Sequence, residues 1–140
     1  MRTLRAVFVC LVAGIMLGCS HSRSIDSKQL KQELTASSSL AAEAGLLADS
    51  VASGRLTATF AREHAQYLQD KIKKELDELE QKTPEPEVAG EFRQTLDSLR
   101  KMKAGFITLS SQPPSRRDLI ELKKAFEQAA QALHAAQASL

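Results

Sequence analysis

The chain has no tryptophan, one tyrosine and five phenylalanines in 140 residues. Single-stranded nucleic acid is held on aromatic platforms interleaved with basic side chains, and this composition cannot build one. Cysteine is as scarce, with only Cys10 and Cys19. No Cys-x-x-Cys-His or Glu-x-x-His spacing occurs, so a haem or metal centre lacks its usual ligands, and no cofactor is expected. The four prolines fall in two places, Pro84/Pro86 and Pro113/Pro114, leaving long stretches between them unbroken. β-Branched residues are few, whereas Ala, Leu, Glu, Gln and Lys, all strong helix formers, are abundant. A sheet-based fold is thereby disfavoured. No glycine-rich phosphate loop is present, and Ser37, Ser38 and Ser39 have no partnered base in a recognised arrangement. Nothing in the sequence points to catalysis.

What is present begins with residues 1–19. Arg2 and Arg5 precede an apolar run over 6–17, which stops at Gly18 and Cys19. A basic n-region followed by a short apolar h-region is the layout of a secretory signal. The run is about a dozen residues, against the roughly 20 that a helix needs to cross the hydrocarbon core, so it does not read as a membrane span. Met16, Leu17, Gly18 and Cys19 together resemble the lipobox of bacterial lipoproteins. A small residue stands directly before the cysteine, with apolar residues at the two positions before it. Members of that family usually carry Leu where Met16 stands and Ala or Ser where Leu17 stands.

The resemblance implies a signal peptide over 1–18, cleavage after Gly18 and a diacylglycerol thioether on Cys19. The new amino terminus would usually be acylated as well, making the lipid bilayer the first partner. Cysteine suits the modification because its thiolate is the strongest nucleophile among ordinary side chains. Several acyl chains on one residue bind a membrane far more firmly than one does. In that family an Asp after the cysteine favours inner-membrane retention, whereas Ser20 is compatible with sorting to the outer membrane, facing the periplasm. Cys10 leaves with the signal, and the mature chain has no disulfide to hold it. Removing Arg2 and Arg5 from the 19 basic residues leaves 17 against 17 acidic ones. The mature protein is therefore near neutral, a second reason to exclude nucleic acid as a partner.

Residues 19–25 read as the lipidated cysteine and a short polar tether, and 26–140 as one domain. Caps and breakers mark four helices in it. Asp26 N-caps the first, with Gln29 as the return partner of a capping box and Ile25/Leu30 as a hydrophobic staple. It runs to about Ala52 and ends at Ser53-Gly54. Its apolar face is Leu30, Leu34, Leu40, Ala41, Ala44, Leu47, Ala48 and Val51. The second begins near Thr57 and stops before Thr83-Pro84, with Phe60, Ala61, Ala65, Leu68, Ile72, Leu76 and Leu79 as its face. The third spans about 87–109 through Phe92, Leu96, Leu99, Met102, Phe106 and Leu109. The fourth opens on the Ser115/Asp118 pair and repeats Leu119, Leu122, Phe126, Ala129, Leu133, Ala136 and Leu140 at spacings of three and four. Similar lengths and short connections predict an all-α fold, an antiparallel up-down four-helix bundle. Alanine-rich faces on the first and fourth helices leave homo-oligomerisation open, because small residues bury little area.

The candidate functional residues are few. Cys19 is the lipidation site. His64 lies beside the second helix's apolar face, where a boundary histidine is the plain reading. Were the bundle to hold a small ligand, metal or haem, His64, Tyr67 and Met102 would be the residues to suspect. The acidic run Glu75, Asp77, Glu78, Glu80, Glu85 and Glu87 reads as a solvated charge cluster. In the bundle, the tether, the Pro84–Pro86 turn and the C-terminus fall at one end. Arg55, Arg62, Lys101, Lys103, Arg116, Arg117, Lys123 and Lys124 crowd toward the other, with two helix N-termini. Arg55, Arg116 and Arg117 are the candidate basic pole for an anionic partner, an envelope protein or an acidic cell-wall polymer. The function this suggests is an envelope lipoprotein acting by interaction.

Overall fold

A computed structural model describes residues 24–111 and 114–140. The signal sequence, Cys19 and His21 lie outside the described residues. In chain order the elements are β1 (Ser24–Ile25), α1 (Ser27–Ala52), α2 (Ala58–Leu79), β2 (Thr83–Pro84), a 3-10 turn (Pro86–Val88), α3 (Ala89–Ser111) and α4 (Arg116–Ser139). The described residues thus form an all-α helical bundle of four helices, with one two-residue strand pair added. None of these helices is long and apolar enough to cross a membrane.

The helix starts follow from their caps. The Asp26 carboxylate accepts the Gln29 N–H at 2.7 Å. The Thr57 hydroxyl accepts that of Phe60 at 3.3 Å. Ser115 and Asp118 satisfy each other reciprocally, side chain to backbone in both directions. Each bond occupies one of the four N–H groups a helix start leaves unpaired. Gly54 ends α1 with φ at +68°, a left-handed conformation that a side chain would strain.

Side-chain pairs fix how the helices meet. α1 lies along α4, from Ser27 donating to the Leu140 carbonyl at one end to Asp49 accepting from Lys123 at the other. α1 meets α2 through Ser37–Glu75 and Glu43–His64, and the turn after α2 through Glu33–Lys82. α2 meets α3 through Ser110–Gln69 and Arg100–Glu80. One end of the bundle therefore collects the start of α1, the α2–α3 connection and the end of α4. Leu34, Leu68, Ile72, Leu99, Phe106 and Leu133 are fully buried between the helices, and the Phe106 and Phe126 rings pack with centroids 5.0 Å apart.

Three details depart from the sequence expectations. Ser24 and Ile25, read as tether, pair in parallel with Thr83 and Pro84, and Ile25 is fully buried. The Ile25 carbonyl also accepts the Glu85 N–H at 3.1 Å. Phe60, expected in the α2 core face, is 51% exposed. At about 100° per residue it stands roughly 120° around the helix from the line of Leu68, Ile72 and Leu76. The third helix starts with the 3-10 turn, because Pro86 has no N–H to offer and its fixed φ suits a first turn.

Candidate functional site

On α2, Phe60, His64 and Tyr67 recur at i, i+4 and i+7 and form a column on the outside of the bundle. Phe60 and His64 stack at 5.8 Å between centroids, and His64 and Tyr67 at 5.9 Å. The Lys71 ammonium extends the column, 4.7 Å from the Tyr67 ring centre. Glu43 of α1 meets the His64 Nε2 at 2.9 Å. His64 therefore sits at the boundary between α1 and α2 with a carboxylate partner. Met102, by contrast, is 1% exposed, inside the core. The three residues suspected of ligand binding are divided between a surface column and the interior. Among the described residues, no group of three or more His, Cys, Asp or Glu side chains could hold a metal ion.

The basic pole is more internally paired than its sequence suggests. Arg55 is hydrogen-bonded to the Asp49 carboxylate and to the Ser53 hydroxyl, and Arg117 to Glu121 at 3.1 Å. Arg116 is exposed and takes no such partner among the described residues. Asp49 also accepts from Lys123 at 2.7 Å, so one carboxylate ties the α1–α2 turn to α4. Lys123 first and Arg55 second hold that carboxyl below its ordinary range, and Asp49 in turn raises Lys123.

Glu75 departs from the rest of its acidic run. It is half-buried at the α1–α2 seam and accepts from the buried Ser37 hydroxyl at 3.1 Å. Desolvation raises its pKa, aided by Glu33 and Glu78 and opposed by Ser37 and Lys71. The signal was there in its spacing: Glu75 is three residues after Ile72 and four before Leu79, at the edge of the α2 stripe.

Sequence reasoning missed the exposed apolar residues. Leu46, Phe60, Tyr67, Ile107 and Ile120 are the large hydrophobic side chains exposed among the described residues. All five belong to the half of the bundle away from Ser24 and Leu140: the later half of α1 and α3 and the earlier half of α2 and α4. Sequence reasoning also missed a groove of about 460 Å³ along the α1–α4 seam, lined by Ala41, Ala42, Gly45, Leu46, Asp49, Lys123, Glu127, Ala130 and Gln131. No family model, curated protein or solved structure matches the chain.

Proposed function

We propose that this protein is a membrane-anchored envelope lipoprotein whose helical domain acts by interaction, without catalysis, as an adaptor, assembly accessory or chaperone-like helper. The anchor reading is supported by Arg2 and Arg5, the short apolar run, Gly18-Cys19 and Ser20. Cys19 carries the acyl groups, in the outer membrane facing the periplasm, and the helices run up-down-up-down from it. The anchored end is then the one that holds Ser24, Thr83 and Leu140.

The observation that carries the interaction reading is the segregation of exposed apolar side chains into the opposite half. Exposed hydrophobic residues scattered singly mean little. Five confined to one half, where Arg55, Arg62, Arg116 and Lys124 also stand, fit a partner that offers acidic and apolar groups together. That chemistry favours an acidic protein segment over a polysaccharide, which has little to set against Phe60, Ile107 and Ile120. The test is photo-crosslinking in intact envelopes from a probe at the exposed Arg117 position, beside a Cys19→Ser variant and a triple Arg62→Glu, Arg116→Glu, Lys124→Glu variant. A discrete protein adduct, lost in the triple variant and reduced when the anchor is removed, supports the reading. An adduct pattern unchanged by the triple variant refutes it.

A further inference from the structure

Gly45 is a glycine for which this chain's own fold gives no reason. Gly54 is required by its positive φ. Gly105 is required by Phe126, whose ring tip would stand 2.8 Å from an added Cβ. A Cβ at Gly45 would meet only the Glu127 side chain, at an ordinary 3.9 Å. Glycine in a helix interior is a poor choice against alanine, and this one stands where the monomer could accept a methyl group. Gly45 instead lines the α1–α4 groove with Ala41, Ala42 and Ala130. Beside that apolar hollow, Leu46 is 70% exposed.

We propose that this groove is a self-association face and that its occupant is Leu46 of a second copy. A two-fold interface places the same patch on both partners, so a protruding side chain and the hollow that receives its equivalent must belong to one patch. Leu46 and the Gly45 hollow are chain neighbours and meet that condition. Charge favours the same occupant. Lys123 is flanked by Asp49 at 2.7 Å and Glu127 at 3.9 Å, so each copy offers the other both signs. Asp49 also holds Arg55, so two carboxylates and two cations balance here, and the groove offers no net attraction to the acidic partner proposed for the basic end of the bundle. The Gly45 and Ala42 positions let two α1 helices approach closely, and the groove of about 460 Å³ has room for the inserted side chains.

The groove runs from Ala41 to Asp49, eight residue steps or roughly 12 Å of helix, short of the face that a tight dimer buries. A dissociation constant of about 10–100 µM is expected for so small a patch. Copies anchored in one membrane would meet at a higher effective concentration than that. Sedimentation equilibrium of the full mature chain in detergent, loaded from about 1 µM to 1 mM around that constant, tests it. The wild-type protein should pass from monomer to dimer across the range. Leu46→Lys, at a side chain already exposed, should remain monomeric with its melting temperature unchanged. Gly45→Ala should melt higher in dilute solution yet dimerise about tenfold more weakly, the methyl filling the hollow. Ile107→Lys, on a different face, should dimerise as the wild type does. A monomeric wild type at every loading overturns the proposal, as does a dimer indifferent to Leu46→Lys. Association abolished by Ile107→Lys overturns it too, placing self-contact at the end of the bundle.

Discussion

Alanine at two helix-interior glycines should move stability in opposite directions. At Gly45 the new methyl meets nothing closer than 3.9 Å, so only backbone entropy changes. In dilute solution Gly45→Ala should stabilise by about 0.5–1 kcal/mol. At Gly105 the same methyl would stand 2.8 Å from Phe126 Cζ, 3.0 Å from its Cε1 and 3.3 Å from Leu122 Cδ2. A ring tip could swing aside at a surface, but Phe126 is 1% exposed and packed against Phe106, so it has nowhere to go. Overpacking of this kind costs about 1–3 kcal/mol, which outweighs the helix-propensity gain of about 1. Gly105→Ala should therefore be neutral to destabilising by up to about 2 kcal/mol. Urea unfolding followed by far-ultraviolet circular dichroism reads both, since a slope of about 1–3 kcal/mol per molar turns these energies into midpoint shifts of a few tenths of a molar or more. Phe126→Leu, itself destabilising, should abolish the Gly105→Ala penalty in a double-mutant cycle. If Gly105→Ala stabilised as much as Gly45→Ala, the packing of α3 against α4 would not be as described.

Further outcomes are expected elsewhere in the chain. Glu75→Gln keeps an acceptor for Ser37 and removes a charge that burial disfavours, so it should raise stability at neutral pH by a few tenths of a kcal/mol after allowance for solvent screening. The sign follows from linkage: with its folded pKa raised, the native state holds the Glu75 proton more tightly, and wild-type stability falls as pH rises from the unfolded value through the folded one. Calorimetry from pH 4 to 8 should show that part of the slope missing in Glu75→Gln. Asp118 is opposite in sign, since the Ser115 side chain and backbone hold its pKa down. Its contribution is present above the unfolded value and fades as pH falls through the folded one. Ser115→Ala, by losing the N-cap of α4, should cost about 1 kcal/mol in a melt at neutral pH. Cys19→Ser should shift the protein from the membrane to the soluble fraction, with the acyl mass absent from its intact mass spectrum; a membrane-retained variant would refute Cys19 as the anchor.

The four helices were legible because their signals are local. Asp26, Thr57 and Ser115 act within three residues of themselves, and the repeats through Ile72, Phe106 and Phe126 need only helical periodicity. What escaped the sequence depends on tertiary placement. Ile25 reads from the sequence as a staple onto Leu30 at the end of a tether, and its pairing with Ser24 into a strand beside Thr83 and Pro84, almost sixty residues away, has no local signal. Phe60 carries the hydrophobicity of a core residue but stands about 120° around α2 from Leu68, Ile72 and Leu76, and the packing of α1 and α3 leaves that side outside. Arg55 reads as a free cation until the Gly54 turn folds it back onto Asp49. Glu75 is the exception: its acidic neighbours suggest a solvated run, but its spacing from Ile72 and Leu79 already marks the edge of the buried stripe where it meets Ser37. The groove was invisible because Gly45 and Ala130 become one surface only when α1 lies along α4.

The pairing of Ser24–Ile25 with Thr83–Pro84 also sharpens the anchor hypothesis. With Ile25 buried and its carbonyl accepting the Glu85 N–H, the packed domain already includes Ser24–Ile25 ahead of the helix start. From Cys19 to Ser24 is five residue steps, at most about 17 Å of extended chain. α4 is about 36 Å long at the helical rise, so an anchor at Cys19 would hold the Leu140 end near the bilayer and Arg116 farther from it. A fluorophore on Ser139→Cys should therefore transfer energy efficiently to a membrane-surface dye in proteoliposomes, and one on Arg116→Cys poorly. Under the same hypothesis an acylated Cys19 is unreactive, which confines each label to its intended site. Ten Gly/Ser residues inserted between Arg23 and Ser24 should reduce the Ser139 signal, because a flexible chain of that length lets the bundle drift and turn. Equal transfer from both sites in the uninserted protein would mean that the bundle lies flat or tumbles on its anchor, and the apolar half would then have no defined direction in which to meet a partner.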